Sequence, residues 1–297
     1  MAELHVPESW LALYRELEAP PSVVLTVGAG DTGKSTFCRW LAQRNAADGA
    51  ASWLVDADVG QSQLGPPASI GCAPVDETGV REATAFFVGD VSPRRVPPAM
   101  LGALAEGLRM AREAGARSIV IDSTGWISGP EAVALKMAKA AVADEAHVVL
   151  IAQGDELRAF RRAWRGLPRF PTHVLRPVPE VSRRSPEERR ARREALFRAH
   201  LQGAVDCEID LRHVAVSGTG RLHLPRPSVP PGLLLGLGDP GGRLLSLGIL
   251  RELHAASGKL TCLCQPAGSA AAEVRFGRLL VAPDGAHSTA SDDGEAA

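Results

Sequence analysis

The 297-residue sequence has no run of 18 apolar residues, and this absence excludes a conventional transmembrane helix. Its first ten residues include Glu3, His5 and Glu8 and lack the basic and apolar segments of a signal peptide. Cysteine is scarce and odd in number, with five residues, and Cys262 and Cys264 have no second pair with which to form a zinc site. These absences predict a cytoplasmic protein whose cysteines are reduced thiols.

Lysine is also scarce, and the four lysines are Lys34, Lys136, Lys139 and Lys259. Arginine supplies the other basic residues, and the formal net charge of the whole chain is −1. Between residues 158 and 198, however, thirteen arginines stand against four glutamates. A local positive field of this kind suits a polyanionic ligand, although a solvated helix face explains the same pattern.

One segment matches a complete ligand-binding motif. Residues 28–35 read Gly-Ala-Gly-Asp-Thr-Gly-Lys-Ser, which fits G-x-x-x-x-G-K-[ST], the phosphate-binding loop or P-loop. The β-branched run at 23–27 precedes it and a predicted helix from Lys34 to Asn45 follows it, so the motif has the strand–loop–helix context that its mechanism requires. The sequence therefore predicts a nucleoside triphosphate site, with Lys34 at the β and γ phosphates and Ser35 on Mg²⁺.

Apolar runs alternate with helical patterns up to about residue 201. Strands are predicted at 22–27, 52–56, 84–88, 117–122, 146–152 and 172–175, and helices at 33–46, 97–114, 130–142, 154–165 and 185–201. Continuous apolar strands joined by helices are typical of a parallel sheet that is buried on both faces. The predicted fold class is α/β, a P-loop NTPase core in which helices flank a mostly parallel sheet.

The pattern changes from about residue 205, where short apolar segments alternate with Gly- and Pro-rich turns. These segments, at 211–216, 233–237, 244–250, 260–264 and 273–281, predict a small antiparallel β-rich module. The predicted domains are a helical lead-in at 1–20, the P-loop domain at 21–203, the β-rich module at 204–284 and a disordered tail at 285–297.

Two acidic segments directly follow predicted strands. Asp56-Ala57-Asp58-Val59-Gly60-Gln61 follows one, and Asp122-Ser123-Thr124-Gly125-Trp126 follows another. A P-loop enzyme uses a carboxylate at such a position to order Mg²⁺ or the nucleophile. The second segment also fits a GTPase switch motif, but Ile151-Ala152-Gln153-Gly154-Asp155 lacks the expected Asn-Lys-x-Asp guanine reader. Ala29 occupies the place where the dimeric ATPases with a deviant loop carry lysine, so both classes are disfavoured.

Together these motifs resemble the polynucleotide 5′-hydroxyl kinases of the RNA-processing type, which include the kinase subunit of the pre-mRNA cleavage complex and the ribosomal-RNA-processing kinases. The likeness is greatest to their compact archaeal and bacterial members and spans residues 20–202. The P-loop has the family's Asp-x-Gly-Lys-Ser form, and residues 58–61 resemble its D-x-x-Q motif. Residues 123–126 are similar to its clasp, which is usually Thr-x-Gly. Arg184-Ser185, with Arg189 and Arg193, resembles its lid, expected at about 183–201.

The resemblance implies a role for each matching residue. Nucleotide binding is expected from Gly28, Ala29, Gly30, Asp31, Thr32, Gly33, Lys34, Ser35, Thr36, Ser123 and Gly125. The expected catalytic residues are Lys34, Asp58, Gln61, Arg189 and Arg193, and Ser35 and Asp58 are the expected metal ligands. Contacts to the substrate strand are expected from Gln61, Trp126, Arg184, Arg161 and Arg165.

Four of these roles have structural alternatives. Gln61 also fits a loop amide whose side chain is bonded to the backbone. Asp58 also fits a turn carboxylate, Trp126 a core side chain, and the lid arginines surface ion pairs with neighbouring glutamates.

The implied activity is transfer of the γ-phosphate of ATP, or of another NTP, to the 5′-hydroxyl end of RNA or DNA, with Mg²⁺ as cofactor. The implied partners are the nucleotide and a 5′-hydroxyl nucleic-acid end, without a membrane, and no protein partner is indicated. Two alternatives remain open at this point: a small-molecule or nucleotide kinase on the same fold, and a non-catalytic NTP-binding scaffold of an RNA-processing complex.

Overall fold

The computed structural model describes residues 6–17, 22–178, 184–218, 229–254 and 256–290. Contacts between residues divide the chain into two compact units. Unit 1 comprises Met1–Asp58, Ile70–Thr84 and Met100–Arg184. Unit 2 comprises Val59–Ser69, Ala85–Ala99 and Ser185–Ala297. Arg183 of the predicted lid, residue 21 of the predicted P-loop domain and residues 291–297 of the predicted tail lie outside the described residues.

Helices and strands alternate along the first 175 residues. In chain order they are α1 (Glu8–Glu16), β1 (Val23–Gly28), α2 (Lys34–Ala47), β2 (Ser52–Ala57), β3 (Ser69–Asp76), β4 (Gly79–Val80), β5 (Thr84–Phe87), α3 (Pro97–Glu113), β6 (Ser118–Ser123), α4 (Pro130–Ala143), β7 (His147–Ile151), α5 (Arg158–Ala163) and β8 (Thr172–Leu175).

The sheet of unit 1 has the strand order β4-β3-β2-β6-β1-β7-β8. Strands β2, β6, β1, β7 and β8 run parallel, whereas β3 is antiparallel to β2. All residues of β1 and β6 are buried, because helices cover both faces of a parallel sheet. The register pairs Gly28 with Ile151 and Asp56 with Asp122. The ends of β1, β7, β2 and β6 therefore meet at one edge, where open α/β sheets bind ligands.

The rest of the chain is one helix followed by short strands. These are α6 (Pro186–Leu201), β9 (Val205–Asp210), β10 (Ala215–Gly218), β11 (Leu233–Gly238), β12 (Leu244–His254), β13 (Lys259–Cys264), a 3₁₀ helix (Pro266–Ala270), β14 (Glu273–Val281) and β15 (His287–Thr289). The strand order is β10-β14-β11-β12-β13-β9, with β15 paired to β14. Phe197 and Leu201 of α6 pack in one buried cluster with Leu234, Ile249 and Leu279, which explains why α6 belongs to unit 2.

The structure confirms the α/β class and the β-rich C-terminal module, and it corrects several details. Strands β3 and β4 were not predicted, and β10 is parallel to β14. The helix expected at 154–165 is limited to α5. The disorder prediction is wrong for residues 287–289, since β15 pairs with β14. The domain limits remain a prediction, because contacts between residues do not show which segments of the chain fold on their own.

All five cysteines are free thiols. Among the described residues, no helix combines the length and the apolar character needed to cross a bilayer.

Candidate functional site

The P-loop connects β1 to α2 through a tightly wound backbone. A Cβ atom on Gly28 would lie 2.7 Å from the carbonyl oxygen of Ile151, so no larger residue fits where β1 meets β7. Asp31 and Gly33 have φ angles of 54° and 84°, which is the left-handed region. These turns bring backbone N–H groups and the N-terminus of a 14-residue helix to one point, where an anion is favoured.

The side chains of the P-loop close on the loop itself. Lys34 is buried, and its Nζ donates a hydrogen bond of 2.5 Å to the carbonyl oxygen of Ala29. Thr32 Oγ1 donates to the same oxygen at 3.0 Å. A hydrogen bond from an ammonium group to a charged phosphate oxygen is stronger than one to a neutral carbonyl oxygen. Lys34 would therefore form a stronger hydrogen bond with a bound phosphate than it forms with Ala29.

Asp122 lies at the end of β6 beside the P-loop. It is 5% exposed, and burial raises the pKa of its carboxyl group, while Lys34 and a hydrogen bond from the Ser35 hydroxyl act in the opposite direction. Its Oδ1 atom has no hydrogen-bond partner among the described residues. A buried oxygen of this kind normally has a partner, and a hydrated metal ion is a suitable one.

Asp58 lies just beyond the end of β2. Its backbone N–H donates to Asp56 Oδ1 at 3.1 Å, which makes Asp56 the residue that shapes the turn. Asp58 itself is half-buried, whereas Asp56 is buried. The accessible carboxylate is therefore Asp58, and it contributes electrostatically to the pKa of Asp122.

The clasp residues differ in their burial and in the groups that they contact. Ser123 is fully buried, and its hydroxyl donates to the carbonyl oxygen of Thr26 on β1, so its side chain is committed to the sheet. Gly125 lies directly against the P-loop, because a Cβ atom there would be 2.7 Å from the backbone nitrogen of Gly30. Trp126 is half-buried, and its Nε1 donates to the carbonyl oxygen of Ser128 at 2.8 Å. This bond leaves the faces of the indole ring to other contacts.

Three of the predicted substrate-binding arginines belong to unit 1. The backbone N–H of Arg184 donates to Asp31 Oδ2 at 3.0 Å, which ties the start of the predicted lid to the P-loop. Arg161 is exposed on α5, and Arg165 is exposed just after it. Their exposure suits contacts with a polyanion in solution.

The remaining predicted catalytic residues belong to unit 2. Ser185 and Glu188 form a capping box at the start of α6, which fixes the first turn of the lid helix. Gln61 Nε2 donates to the carbonyl oxygen of Gly60 at 2.7 Å and to that of Arg189 at 3.3 Å. Arg193 Nε lies 3.3 Å from His287 Nε2 on β15. The structure thus brings Gln61 and the lid helix together within one unit.

The residues of unit 1 provide the oxygen ligands that Mg²⁺ prefers. Ser35 and Asp122 present a hydroxyl and a carboxylate beside the P-loop, and Asp58 presents a second carboxylate. Among the described residues, no cluster of three or more His, Cys, Asp or Glu side chains forms a complete metal cage.

Sequence reasoning assigned no individual role to Asp122 and missed one ion pair. Asp90 has a fully buried side chain and accepts two hydrogen bonds from Arg95, at 2.6 and 2.7 Å. This pair, with the Ser92 N–H on Asp90 Oδ1, holds the arginine-containing loop before α3 within unit 2. The run Ser92-Pro93-Arg94-Arg95 before a helix is the signal in the sequence that could have identified this loop.

Comparison with known proteins agrees with this geometry. Residues 28–203 match the family described as mRNA cleavage and polyadenylation factor CLP1 P-loop. The polyribonucleotide 5′-hydroxyl-kinase of Pyrococcus horikoshii is 25% identical over 89% of this chain and 87% of its own length. That of Thermococcus kodakarensis is 26% identical over 94% of each chain. The polyribonucleotide 5′-hydroxyl-kinase Clp1 of Xenopus tropicalis is 30% identical over 74% of this chain and 54% of its own.

A chain of the solved wild-type Clp1p–Pcf11p (454–563) complex has the same fold, with a TM-score of 0.66 at 13% identity over 92% of this chain and 79% of that chain. The family match extends from the first glycine of the P-loop through the whole of α6, so it includes the acidic segments, the clasp and the lid helix. The protein belongs to the CLP1 P-loop family.

Proposed function

We propose that this protein is a polynucleotide 5′-hydroxyl kinase, which transfers the γ-phosphate of ATP to the 5′-hydroxyl end of RNA. The observation that carries the proposal is the convergence of the P-loop, Asp58, Asp122 and the clasp at one edge of the unit 1 sheet, in a member of the CLP1 P-loop family. Relatives that cover most of this chain are named polyribonucleotide 5′-hydroxyl-kinases. The free cysteines agree with a reducing compartment such as the cytoplasm.

The donor nucleotide binds through the P-loop. Its backbone N–H groups and Lys34 hold the β and γ phosphates, and the Lys34 ammonium exchanges the Ala29 carbonyl for phosphate oxygens. Ser35 and Asp58, together with Asp122, supply the oxygen atoms that would hold Mg²⁺. When bound, Mg²⁺ supplies positive charge that stabilises the phosphates during transfer. The neighbouring Gly125 limits how far the loop can open on that side.

Asp58 acts on the acceptor. Its carboxylate accepts the proton of the 5′-hydroxyl as that oxygen forms a bond to the γ phosphorus, and the bond from phosphorus to the bridging oxygen breaks with release of ADP. The half-buried position of Asp58 suits this role better than the buried position of Asp56. Gln61 orients the acceptor, and Trp126 stacks on the terminal base.

The positive charges of the lid have a separate role. Arg189 and Arg193 are four residues apart on α6 and so share one face of the helix. Guanidinium groups in this arrangement neutralise the transferred phosphoryl group. Arg161, Arg165 and Arg184 contact the phosphates of the strand beyond its first nucleotide.

The test is transfer of label from γ-labelled ATP in the presence of Mg²⁺. The acceptors are an RNA and a DNA oligonucleotide of the same sequence with a 5′-hydroxyl, and the control is the same RNA with a 5′-phosphate. We expect label on the 5′ end of the 5′-hydroxyl RNA and none on the blocked RNA. A nucleoside monophosphate serves as a further acceptor, and label on it alone would favour a nucleotide kinase. ATP binding without any transfer would favour the scaffold.

A further inference from the structure

Besides Lys34 of the P-loop, two of the four lysines of the chain are buried in unit 1. Lys136 and Lys139 lie on α4, and both are 0% exposed. Their i, i+3 spacing places them on the same face of the helix. Lysine is almost never fully buried unless it has partners. The partners of these two side chains therefore indicate what the side chains do.

Lys136 supports the clasp. Its Nζ donates to both the carbonyl oxygen and the Oγ1 atom of Thr124, each at 2.7 Å. Thr124 precedes Gly125, the residue that lies against Gly30 of the P-loop. The position of the clasp beside the P-loop thus depends on two hydrogen bonds from one buried amine.

Lys139 supports the acidic segment. Its Nζ donates to the carbonyl oxygen of Ala57 at 3.1 Å. Ala57 is the residue between Asp56, which shapes the turn, and Asp58, which carries the accessible carboxylate. The amine therefore holds the backbone at the point from which Asp58 leaves the strand.

Packing alone does not explain two buried lysines. Burial lowers the pKa of both groups, that of Lys139 to about 8, which shows that the protein environment opposes their charge. Asp58 and Asp122 offset part of this effect for both lysines. Methionine, which is unbranched and apolar, fills a similar volume without the desolvation cost, and other buried positions on the same helix, such as Leu135 and Ala140, carry apolar side chains.

We propose that Lys136 and Lys139 are positioning residues for phosphoryl transfer: Lys136 holds the clasp against the P-loop, and Lys139 holds the segment that presents Asp58. The inference rests on the proposed kinase activity and adds two residues to it. The two lysines act on different groups, so they affect different constants. Lys136 acts through the clasp on the bound nucleotide, and Lys139 acts through Ala57 on the acceptor step.

The test compares Lys136→Met and Lys139→Met with Leu135→Met, a matched change of a buried residue on the same helix. Three quantities are measured: the Kd for a fluorescent ATP analogue, the kcat for a 5′-hydroxyl RNA, and Tm. We expect Lys136→Met to raise the Kd and Lys139→Met to lower kcat with the Kd unchanged, each by about 10- to 100-fold, as is typical when a supporting partner is removed. Leu135→Met should match the wild type in all three.

The Tm of the variants distinguishes a positioning role of the two lysines from a role in stability alone. Each methionine variant leaves a carbonyl oxygen without its donor but also removes a buried amine, so the two effects on Tm oppose each other. We expect Tm near that of the wild type. Wild-type kcat and Kd in both variants would overturn the inference, and so would a parallel loss of Tm, Kd and kcat in both. If the wild type labels no RNA, the proposed function has failed, and an unchanged Kd in Lys136→Met then overturns the inference separately.

Discussion

Gly125 of the clasp lies so close to Gly30 of the P-loop that there is no room for a side chain on Gly125. A Cβ atom on Gly125 would be 2.7 Å from the nitrogen and 2.9 Å from the Cα atom of Gly30. Both contacts are with backbone atoms, which cannot rotate away as a side chain can. The clasp and the P-loop are therefore in direct contact within unit 1, and each limits the position of the other.

The first prediction follows from this contact. Gly125→Ala should push the clasp and the P-loop apart and raise the Kd for ATP by about 10- to 100-fold, because the added methyl group displaces the loop that binds phosphate. Titration with a fluorescent ATP analogue measures the effect. Gly102→Ala on α3 is the control, since a Cβ atom there meets nothing within 4 Å. Equal ATP affinity in both variants would show that the clasp does not restrain the bound nucleotide.

The second prediction concerns the donor site. Lys34→Ala should abolish phosphate transfer and leave the protein folded, because the hydrogen bond that Lys34 Nζ donates among the described residues goes to the carbonyl oxygen of Ala29 in the same loop. Circular dichroism checks the fold, and label transfer from ATP checks activity. A folded variant with full activity would mean that the P-loop is not the donor site.

The third prediction separates the two acidic segments. Asp58→Asn should lower kcat by about 10²-fold or more and leave nucleotide binding largely intact, since the amide keeps the volume but cannot accept the proton. Asp122→Asn should mainly weaken the binding of nucleotide with Mg²⁺, because Asp122 interacts with Ser35 and Lys34. A mild effect at Asp58 with a severe loss of kcat at Asp122 would reverse the two assignments.

The fourth prediction separates the lid from the other arginines. Arg189→Ala and Arg193→Ala should lower kcat far more than they raise the KM for ATP, and lysine should rescue poorly because it lacks the planar guanidinium. Arg161→Ala and Arg165→Ala should instead weaken RNA binding and reduce the slope of its salt dependence by about one unit each. The comparison is a set of RNA titrations at several salt concentrations. If all four variants only weakened RNA binding and lowered its salt dependence to the same extent, the lid arginines would be part of an ordinary basic surface and not catalytic.

The fifth prediction is a pH dependence of stability in unit 2. Burial, and then the positive charge of Arg193, lower the pKa of His287 below its ordinary value of 6.5, while Glu194 opposes and Arg190 adds to this shift. The unfolded chain then takes up a proton before the folded chain does. The contribution of His287 to stability is therefore intact above its pKa in the unfolded chain. It is lost as the pH falls from that value through the lower pKa of His287 in the folded chain.

Thermal unfolding from about pH 8 to about pH 5 tests this prediction. The Tm of the wild type should fall with pH, and His287→Gln should flatten the fall, since glutamine offers Arg193 an acceptor that does not take up a proton in this range. His213→Gln is the control, because the side chain of His213 is 78% exposed. A pH profile unchanged by His287→Gln would exclude His287 as a source of the dependence.

Much of unit 1 could be predicted because its signals are local. The P-loop needs left-handed backbone at Asp31 and Gly33, a strand before it and a helix after it, and all of these are encoded within about 20 residues. The apolar strands β6 and β7 were predicted for the same reason. Because parallel strands end at a common edge, the convergence of Asp58 and Asp122 could be expected as well.

Other elements could not be predicted because their neighbours determine them. Strand β3 contains Gly71 and Pro74, which are poor strand formers, and it forms by pairing with β2. Strand β15 lies in a small, polar segment and forms by pairing with β14. In both cases a partner that is distant in the sequence outweighs the local preference.

The sequence alone determined that this protein binds a phosphate at a P-loop and carries two acidic segments at strand ends. It did so because backbone conformation and strand direction depend on neighbouring residues. Only the tertiary structure decided which charged groups are buried. Lys136 and Lys139 read as ordinary helix charges in the sequence, yet both are fully buried beneath the clasp and the acidic segment. Burial depends on residues far along the chain, because solvent is excluded only when the helix packs on the sheet.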